Sequence, residues 1–472
     1  MQRGARGPSS ELSVPFTLVF VAFTFVLFAV ALPEAAPAAP ARAEPVDELG
    51  PPPRPGASVS VVAPLVVVAP PPVLTASLPP AVAPKHPPRN VLLLTIDTLR
   101  HDLGYMGYPR PITPVLDAVA ARSTVFERAY ALASYTPKSM GPMMIGRYGT
   151  ETTRNSEHYT TFFPQNTFVA ERAKAAGVRT FSAVCHRYFL FRKGFQDGFD
   201  IYDTSATPSD PKDEDPRVTS DKLSDVAIKL MSKPENVASR FFGWFHYVDP
   251  HTPYVAHPGA PNFGAMPSGG ASSYQRDAYD QEVWFTDAQV GRVIDFVRAQ
   301  PWGKDTAIIV TADHGEAFGD HGHYRHGREV WESLVRVPLI IDVPGMAARR
   351  VSVKRSHIDL VPTIVDLLGL PPPTGLHGRS LVTDMTSDAP EERDVFVDMP
   401  KGPYNEARRV VVTGPSPGLK LIDFEGAKQT VFDLGEDPGE VKPLKRTDPR
   451  FTTARERFAA MLGSLEEIPA LP

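Results

Sequence analysis

TADHGEAFGDHGHYRHG, residues 311–327, follows the apolar run Ala307-Ile308-Ile309-Val310 and gathers three acids and four histidines into one loop. An all-apolar run that breaks into Asp313-His314-Gly315 reads as a buried strand ending at a polar site. In open α/β sheets, ligands bind at such strand ends. Adjacent Asp and His can present a carboxylate oxygen and an imidazole nitrogen to one divalent ion, while Gly315 lets the backbone turn away tightly. The competing reading is a solvated polar loop, because His and Asp are also turn formers.

Residues 90–100 repeat the same grammar. Val91-Leu92-Leu93-Leu94-Thr95-Ile96 is almost continuously apolar and ends in Asp97-Thr98-Leu99-Arg100. The two strands are expected to meet in one sheet, with the helical patterns between them forming right-handed parallel crossovers. A third element is Ser134-Tyr135-Thr136-Pro137-Lys138-Ser139-Met140, where Thr136 reads as an N-cap with Pro137 at the first helical position. A hydroxyl there is either only a cap or a nucleophile. Positive potential and free N–H donors at a helix start suit attack on an anionic ester, and a bound metal together with Lys138 would favour the alkoxide.

Taken together, these elements resemble the sulfatase family of the alkaline phosphatase superfamily. Asn90 to Arg100, with Gly104-Tyr105-Met106-Gly107-Tyr108 and Thr113-Pro114-Val115-Leu116-Asp117, is similar to that family's opening strand and helix. Residues 136–146 match the spacing of its nucleophile helix, and residues 311–327 its second metal loop. Further matches are His246-Tyr247-Val248-Asp249-Pro250-His251-Thr252-Pro253-Tyr254, His357-Ile358-Asp359-Leu360-Val361-Pro362-Thr363, and Val431-Phe432-Asp433-Leu434 with Asp437-Pro438-Gly439-Glu440. The resemblance implies an α/β fold of alkaline-phosphatase/sulfatase type. A mostly parallel central sheet flanked by helices is expected, with a small C-terminal antiparallel sheet subdomain.

The departures from the family carry information of their own. Formylglycine sulfatases have Cys or Ser at the nucleophile position and Arg four residues on, where this chain has Thr136 and Met140. A threonine Cβ bears a methyl and cannot become that aldehyde. The family's first strand commonly ends in two acids, whereas Asp97 is followed by Thr98. The remaining set, Asp97, Thr136, Asp313 and His314, resembles the single-metal site of the phosphoethanolamine and phosphoglycerol transferases. By resemblance the ion would be Ca2+, and the mixed oxygen and imidazole donors suit Zn2+ or Mn2+ at least as well. His251 and His326 match histidines that hold the anionic group or protonate the leaving oxygen. Arg100 and Lys138 are candidate anion contacts, with Lys138 also assisting Thr136. His321 and His323 match no family position.

The chain has 472 residues, and its 49 basic against 54 acidic residues give a net charge of -5, which argues against a nucleic-acid partner. Its single cysteine, Cys185, excludes an internal disulfide framework and reads as a small core residue. Arg3 and Arg6 precede an apolar segment at residues 14–32, long enough to cross a bilayer core of about 30 Å. The positive end stays in the cytoplasm, so the rest of the chain is expected outside. That length favours a retained membrane anchor; cleavage near Ala41-Arg42-Ala43 would instead release a secreted or periplasmic protein.

Four segments follow from these patterns. Residues 1–32 form the cytoplasmic tip and anchor, and residues 33–88, rich in Pro and Ala, form a semi-extended tether. Residues 89–385 form the catalytic domain, and residues 386–472 a C-terminal α+β subdomain. The expected function is a metal-dependent, extracytoplasmic hydrolase or transferase of sulfate or phosphate esters with Thr136 as nucleophile. The alternatives are a phosphoethanolamine/phosphoglycerol-type transferase and a catalytically silent binding module of the same fold.

Overall fold

Val91, Leu92, Leu93, Leu94 and Ile96 are all buried because their strand, Asn90–Ile96, lies inside an eight-stranded sheet and is covered on both faces. It pairs in parallel with Phe241–Tyr247 on one side and Thr306–Ala312 on the other, so that Leu94 stands beside both Phe245 and Val310. The computed structural model describes residues 89–471 except 157–160, 191–193, 209–218, 264–270 and 404. The expected anchor and tether, residues 1–88, lie outside the described residues. Among the described residues no helix is long and apolar enough to cross a membrane.

In spatial order the sheet runs Arg349–Val351, Thr124–Phe126, Leu339–Asp342, Thr306–Ala312, Asn90–Ile96, Phe241–Tyr247, Arg179–Val184, Ile201–Asp203. Leu339–Asp342 is antiparallel to both its neighbours, and every other pairing is parallel. The strands carrying Asp97 and Asp313 are therefore direct neighbours, with Ile96 registered on Ala312. The long helix Ala271–Ala299 packs against Ser220–Met231 and Pro114–Ala120, while Leu360–Leu367 packs against Thr136–Ile145 and Val169–Ala175. In Thr136–Ile145 every residue is buried, and close packing at Gly141 explains the small residue: a Cβ there would stand 2.0 Å from Phe162 Cζ.

The C-terminal strands Val395–Met399, Arg408–Thr413, Leu419–Phe424 and Lys428–Asp433 form a separate antiparallel sheet in chain order. Strand alternation sorts its apolar residues onto two faces. Phe396, Val411, Leu421 and Val431 share a core with Phe451, Ala454 and Phe458 of the helix Pro449–Gly463. Val395, Val397, Val410, Val412 and Ile422 pack with Tyr130, Ala133, Ala317, Leu334 and Val335. This second cluster lies directly behind the loop that starts at Asp313. Each such buried aliphatic side chain contributes roughly 1.5–3 kcal/mol.

Candidate active site

Four adjacent parallel strands end at one edge of the sheet, and each delivers a polar residue there: His186 beyond Arg179–Val184, His246 near the end of Phe241–Tyr247, Asp97 after Asn90–Ile96, and Asp313 after Thr306–Ala312. Asp97, Asp313 and His314 are fully buried. Their ligand atoms all lie within 4.8 Å of one another. Both carboxylate oxygens of Asp97 and Oδ2 of Asp313 have no hydrogen-bond partner among the described residues. Buried, unpaired carboxylate oxygens are costly, and the arrangement of two acids and an imidazole is the donor set of a divalent cation.

The backbone braces this cluster. Asp313 Oδ1 accepts the N–H of Thr98 at 3.2 Å and of His314 at 2.8 Å, leaving Oδ2 for the site. Thr98 holds a left-handed backbone, φ 56°, which is strained for a β-branched residue and aims its N–H at Asp313. His314 Nδ1 faces Gly315 O at 2.9 Å. That carbonyl only accepts, so the proton sits on Nδ1 and the Nε2 lone pair faces Asp313 Oδ2 at 3.3 Å and Asp97 Oδ1 at 3.8 Å. Burial, reinforced by the Asp97 charge, raises the Asp313 pKa. Asp97 is held well below the usual range because His246 and the other nearby histidines outweigh its burial.

Thr136 Oγ1 lies 3.1 Å from His314 Nε2. The helix Thr136–Ile145 takes Tyr135 as its N-cap, so Thr136 is the first helical residue and makes no capping bond. This corrects the expectation of a Thr136 cap. Its hydroxyl is drawn towards His314 and the two acids instead, while remaining at the positive end of the helix.

Two more histidines approach from the other side. His326 lies beside His314 with ring centroids 4.4 Å apart and planes tilted by 33°, and it meets His251 edge-on at 5.0 Å. Its Nδ1 is 3.1 Å from Glu316 Oε1, and although burial alone would lower its pKa, the Glu316 carboxylate raises it. Tyr254 Oη donates to the other Glu316 oxygen at 3.0 Å. His251 Nδ1 meets Thr252 O at 2.6 Å, and burial lowers its pKa. Neighbouring histidines whose pKa values are pushed apart suit opposite proton-transfer roles.

Arg100 and Lys138 are engaged elsewhere. The Arg100 guanidinium binds Asp102 at 2.9 Å, Asp320 at 3.3 Å and the Glu316 carbonyl at 2.5 Å, so it braces the histidine loop. Lys138 Nζ donates to Pro400 O at 2.5 Å and Asn405 Oδ1 at 2.6 Å. Residues two apart on a helix do not share a face, which explains why the expected assistance of Lys138 to Thr136 has no contact to carry it. Burial lowers the Lys138 pKa to about 7. His321 stacks on Trp331 at 3.9 Å, a packing role. Cys185 is buried, and burial raises its thiol pKa.

Three functional candidates escape the sequence reading. His246 places Nε2 3.5 Å from Asp97 Oδ2, and its signal is a lone histidine in the otherwise apolar strand FFGWFHY. His186 sits two residues past the largely buried strand Arg179–Val184, with its pKa lowered to about 3 by burial. Glu316 orients His326, and nothing local marks it.

Residues 89–370 match the sequence profile of the family described as Sulfatase, and residues 319–467 that of N-sulphoglucosamine sulphohydrolase, C-terminal. An uncharacterized sulfatase, YidJ, of Escherichia coli K12 is 29% identical over 219 residues, covering 43% of this chain and 41% of that relative. The solved structure of a 2-O GAG sulfatase superposes with a TM-score of 0.66 at 20% identity, over 80% of this chain and 91% of that one. A phosphonate monoester hydrolase from Agrobacterium radiobacter gives 0.63 at 20% identity, over 80% and 95%.

Proposed function

The chain belongs to the sulfatase family, and from that premise we propose that it is a metal-dependent hydrolase of sulfate or phosphate esters in which Thr136 is the nucleophile in place of formylglycine. The observation that carries this reading is the Thr136 hydroxyl, 3.1 Å from His314 Nε2, at a helix start beside the orphaned oxygens of Asp97 and Asp313. Asp97, Asp313, His314 and the Thr136 oxygen would hold one divalent ion. When bound, such an ion neutralises the two acids and supplies Lewis acidity at the hydroxyl.

The chain's own residues perform the rest. Thr136 Oγ1 gives up its proton to the neutral Nε2 of His251 as it forms a bond to phosphorus or sulfur and the ester oxygen departs, in line with it, and the proton returns to Oγ1 when the threonine ester is cleaved. His326, its Nδ1 proton held by Glu316, delivers its Nε2 proton to that leaving oxygen. Water then attacks the threonine ester while His326 takes back a proton, and Thr136 is regenerated. His251, with Nδ1–H committed to Thr252 O, offers a neutral Nε2 as a second proton acceptor. An acceptor alcohol in place of water would make the same cycle a transfer.

The reaction is placed outside the cytoplasm on the strength of Arg3, Arg6 and the apolar residues 14–32. Its test is a panel of aryl sulfate, phosphate monoester, phosphodiester and phosphonate substrates on the full chain with Ca2+, Mn2+ and Zn2+. Turnover with acid-trapped modification of Thr136, seen by mass spectrometry, is the expected result. A stoichiometric ion without turnover on any of these esters would favour a silent binding module.

A further inference from the structure

His186 stands at the same sheet edge as Asp97, His246 and Asp313, its ring centroid 5.6 Å from that of His251 and 6.4 Å from that of His246. Its Nδ1 receives the backbone N–H of Tyr188 at 2.9 Å. An amide N–H can only donate, so Nδ1 carries a lone pair and the neutral ring keeps its proton on Nε2. The opposite holds for three other site histidines. Nδ1 of His251, His314 and His326 each faces an oxygen that accepts: Thr252 O at 2.6 Å, Gly315 O at 2.9 Å and Glu316 Oε1 at 3.1 Å. When neutral, those three rings turn lone pairs inward, and the Nε2 proton of a charged His326 is committed to the leaving oxygen.

A tetrahedral anion brings only acceptor oxygens, so a lone pair aimed at it repels and an N–H binds. Arg100 and Lys138 are held by other partners. Among the described residues the Nε2 of His186 has no hydrogen-bond partner. We infer that His186 is a further substrate-binding residue, donating Nε2–H to a non-bridging oxygen of the sulfate or phosphate group that Thr136 attacks. The inference rests on the ester-hydrolase reading. It makes His186 an uncharged donor whose contribution does not change with pH across the neutral range.

His186 also caps the short helical turn Arg187–Phe189 through the same Nδ1 contact, so the experiment separates the two roles. Asparagine can keep the cap, since its carboxamide oxygen accepts the Tyr188 N–H, but it is too short to carry a donor to the anion. In the metal-loaded full chain, His186→Asn is expected to keep its melting temperature and lose about 100-fold in kcat/KM. The loss is the same from pH 6 to 9, and affinity for inorganic phosphate or vanadate, measured by calorimetry, falls with it. His186→Gln retains an amide donor and keeps most of both. If the asparagine variant does not fold, His186→Gln against His186→Met decides, because both fill the space and only glutamine donates; equal phosphate affinities then overturn the inference. It is also overturned if His186→Asn binds phosphate and turns over ester like the parent, or if the parent binds neither phosphate, vanadate nor sulfate. Phosphate binding that depends on His186 without turnover of any ester sinks the hydrolase reading and leaves the inference standing.

Discussion

Thr136 and His314, 178 residues apart in the chain, meet at 3.1 Å, hydroxyl to Nε2. The contact joins the start of a helix to the end of a strand, and it puts the hydroxyl within reach of the same space as the Asp97 and Asp313 oxygens. Because Thr136 makes no capping bond, replacing it removes chemistry more than stability. Thr136→Ala is expected to lower kcat by at least about 1,000-fold while costing about 1 kcal/mol or less in stability. Thr136→Ser keeps the hydroxyl and retains measurable turnover. Steady-state kinetics and chemical denaturation on the three proteins check this, and an alanine variant as fast as the parent would rule out the hydroxyl as nucleophile.

Asp97 and Asp313 oppose each other in the absence of a cation, since both are fully buried and three of their four oxygens are unpaired. Asp97→Asn should therefore abolish divalent-ion binding in calorimetry and, at the same time, raise the melting temperature of the metal-free protein. For the parent, saturating metal at 100 times Kd adds about 2.7 kcal/mol of stability. A metal-free Asp97→Asn protein that melts lower than the metal-free parent would contradict this account.

The Glu282 carboxylate holds the segment after His251 by accepting the Val255 N–H and facing His257 Nε2 at 2.5 Å. Burial raises its pKa from 4.5 to about 7, against the opposing hydrogen bond from His257. Its folded pKa is above its unfolded one, so between pH 4.5 and about 7 the folded protein binds more protons. This group's contribution is full below pH 4.5 and is lost as pH rises through 7. Unfolding free energies of the parent and Glu282→Gln, compared from pH 5 to 8, should converge at the acidic end if the neutral carboxyl is what the fold prefers. The parent should fall behind the variant at the alkaline end.

Lys420 Nζ is fully buried between Glu440 Oε1 at 2.7 Å and Glu332 Oε1 at 3.0 Å, and Tyr130 Oη meets the other Glu332 oxygen at 3.1 Å. This network ties the C-terminal sheet to the catalytic core. Lys420→Met leaves two buried acids without a cation and should destabilise the protein by about 3–5 kcal/mol. The triple variant Lys420→Met, Glu332→Gln, Glu440→Gln should recover most of that loss in urea denaturation. No recovery would mean that the lysine contributes through packing of its stem.

The central sheet was legible in the sequence because a strand buried on both faces must be apolar at every position. Val91 to Ile96 and Ala307 to Ala312 meet that condition at every position but Thr95 and Thr311. Their terminal acids were legible for the same reason, since polarity begins where burial of the strand ends. The short β-branched and aromatic runs Val395-Phe396-Val397 and Val410-Val411-Val412 were legible as pieces of a second sheet. Cys185 was readable as core from its neighbours alone.

What tertiary structure decided is which polar side chains face the site and in which protonation. Lys138 is near Thr136 in sequence, yet its ammonium reaches Pro400 and Asn405, because helix geometry turns it away. Arg100 follows Asp97 closely and is spent on Asp102 and Asp320. His186 and His246 become site residues only because their strands are ordered beside that of Asp97. The sequence determined where charge sits along the chain. A hydrogen bond or metal ligand is a property of two groups a few ångströms apart, and that distance exists only after strands from distant segments have paired.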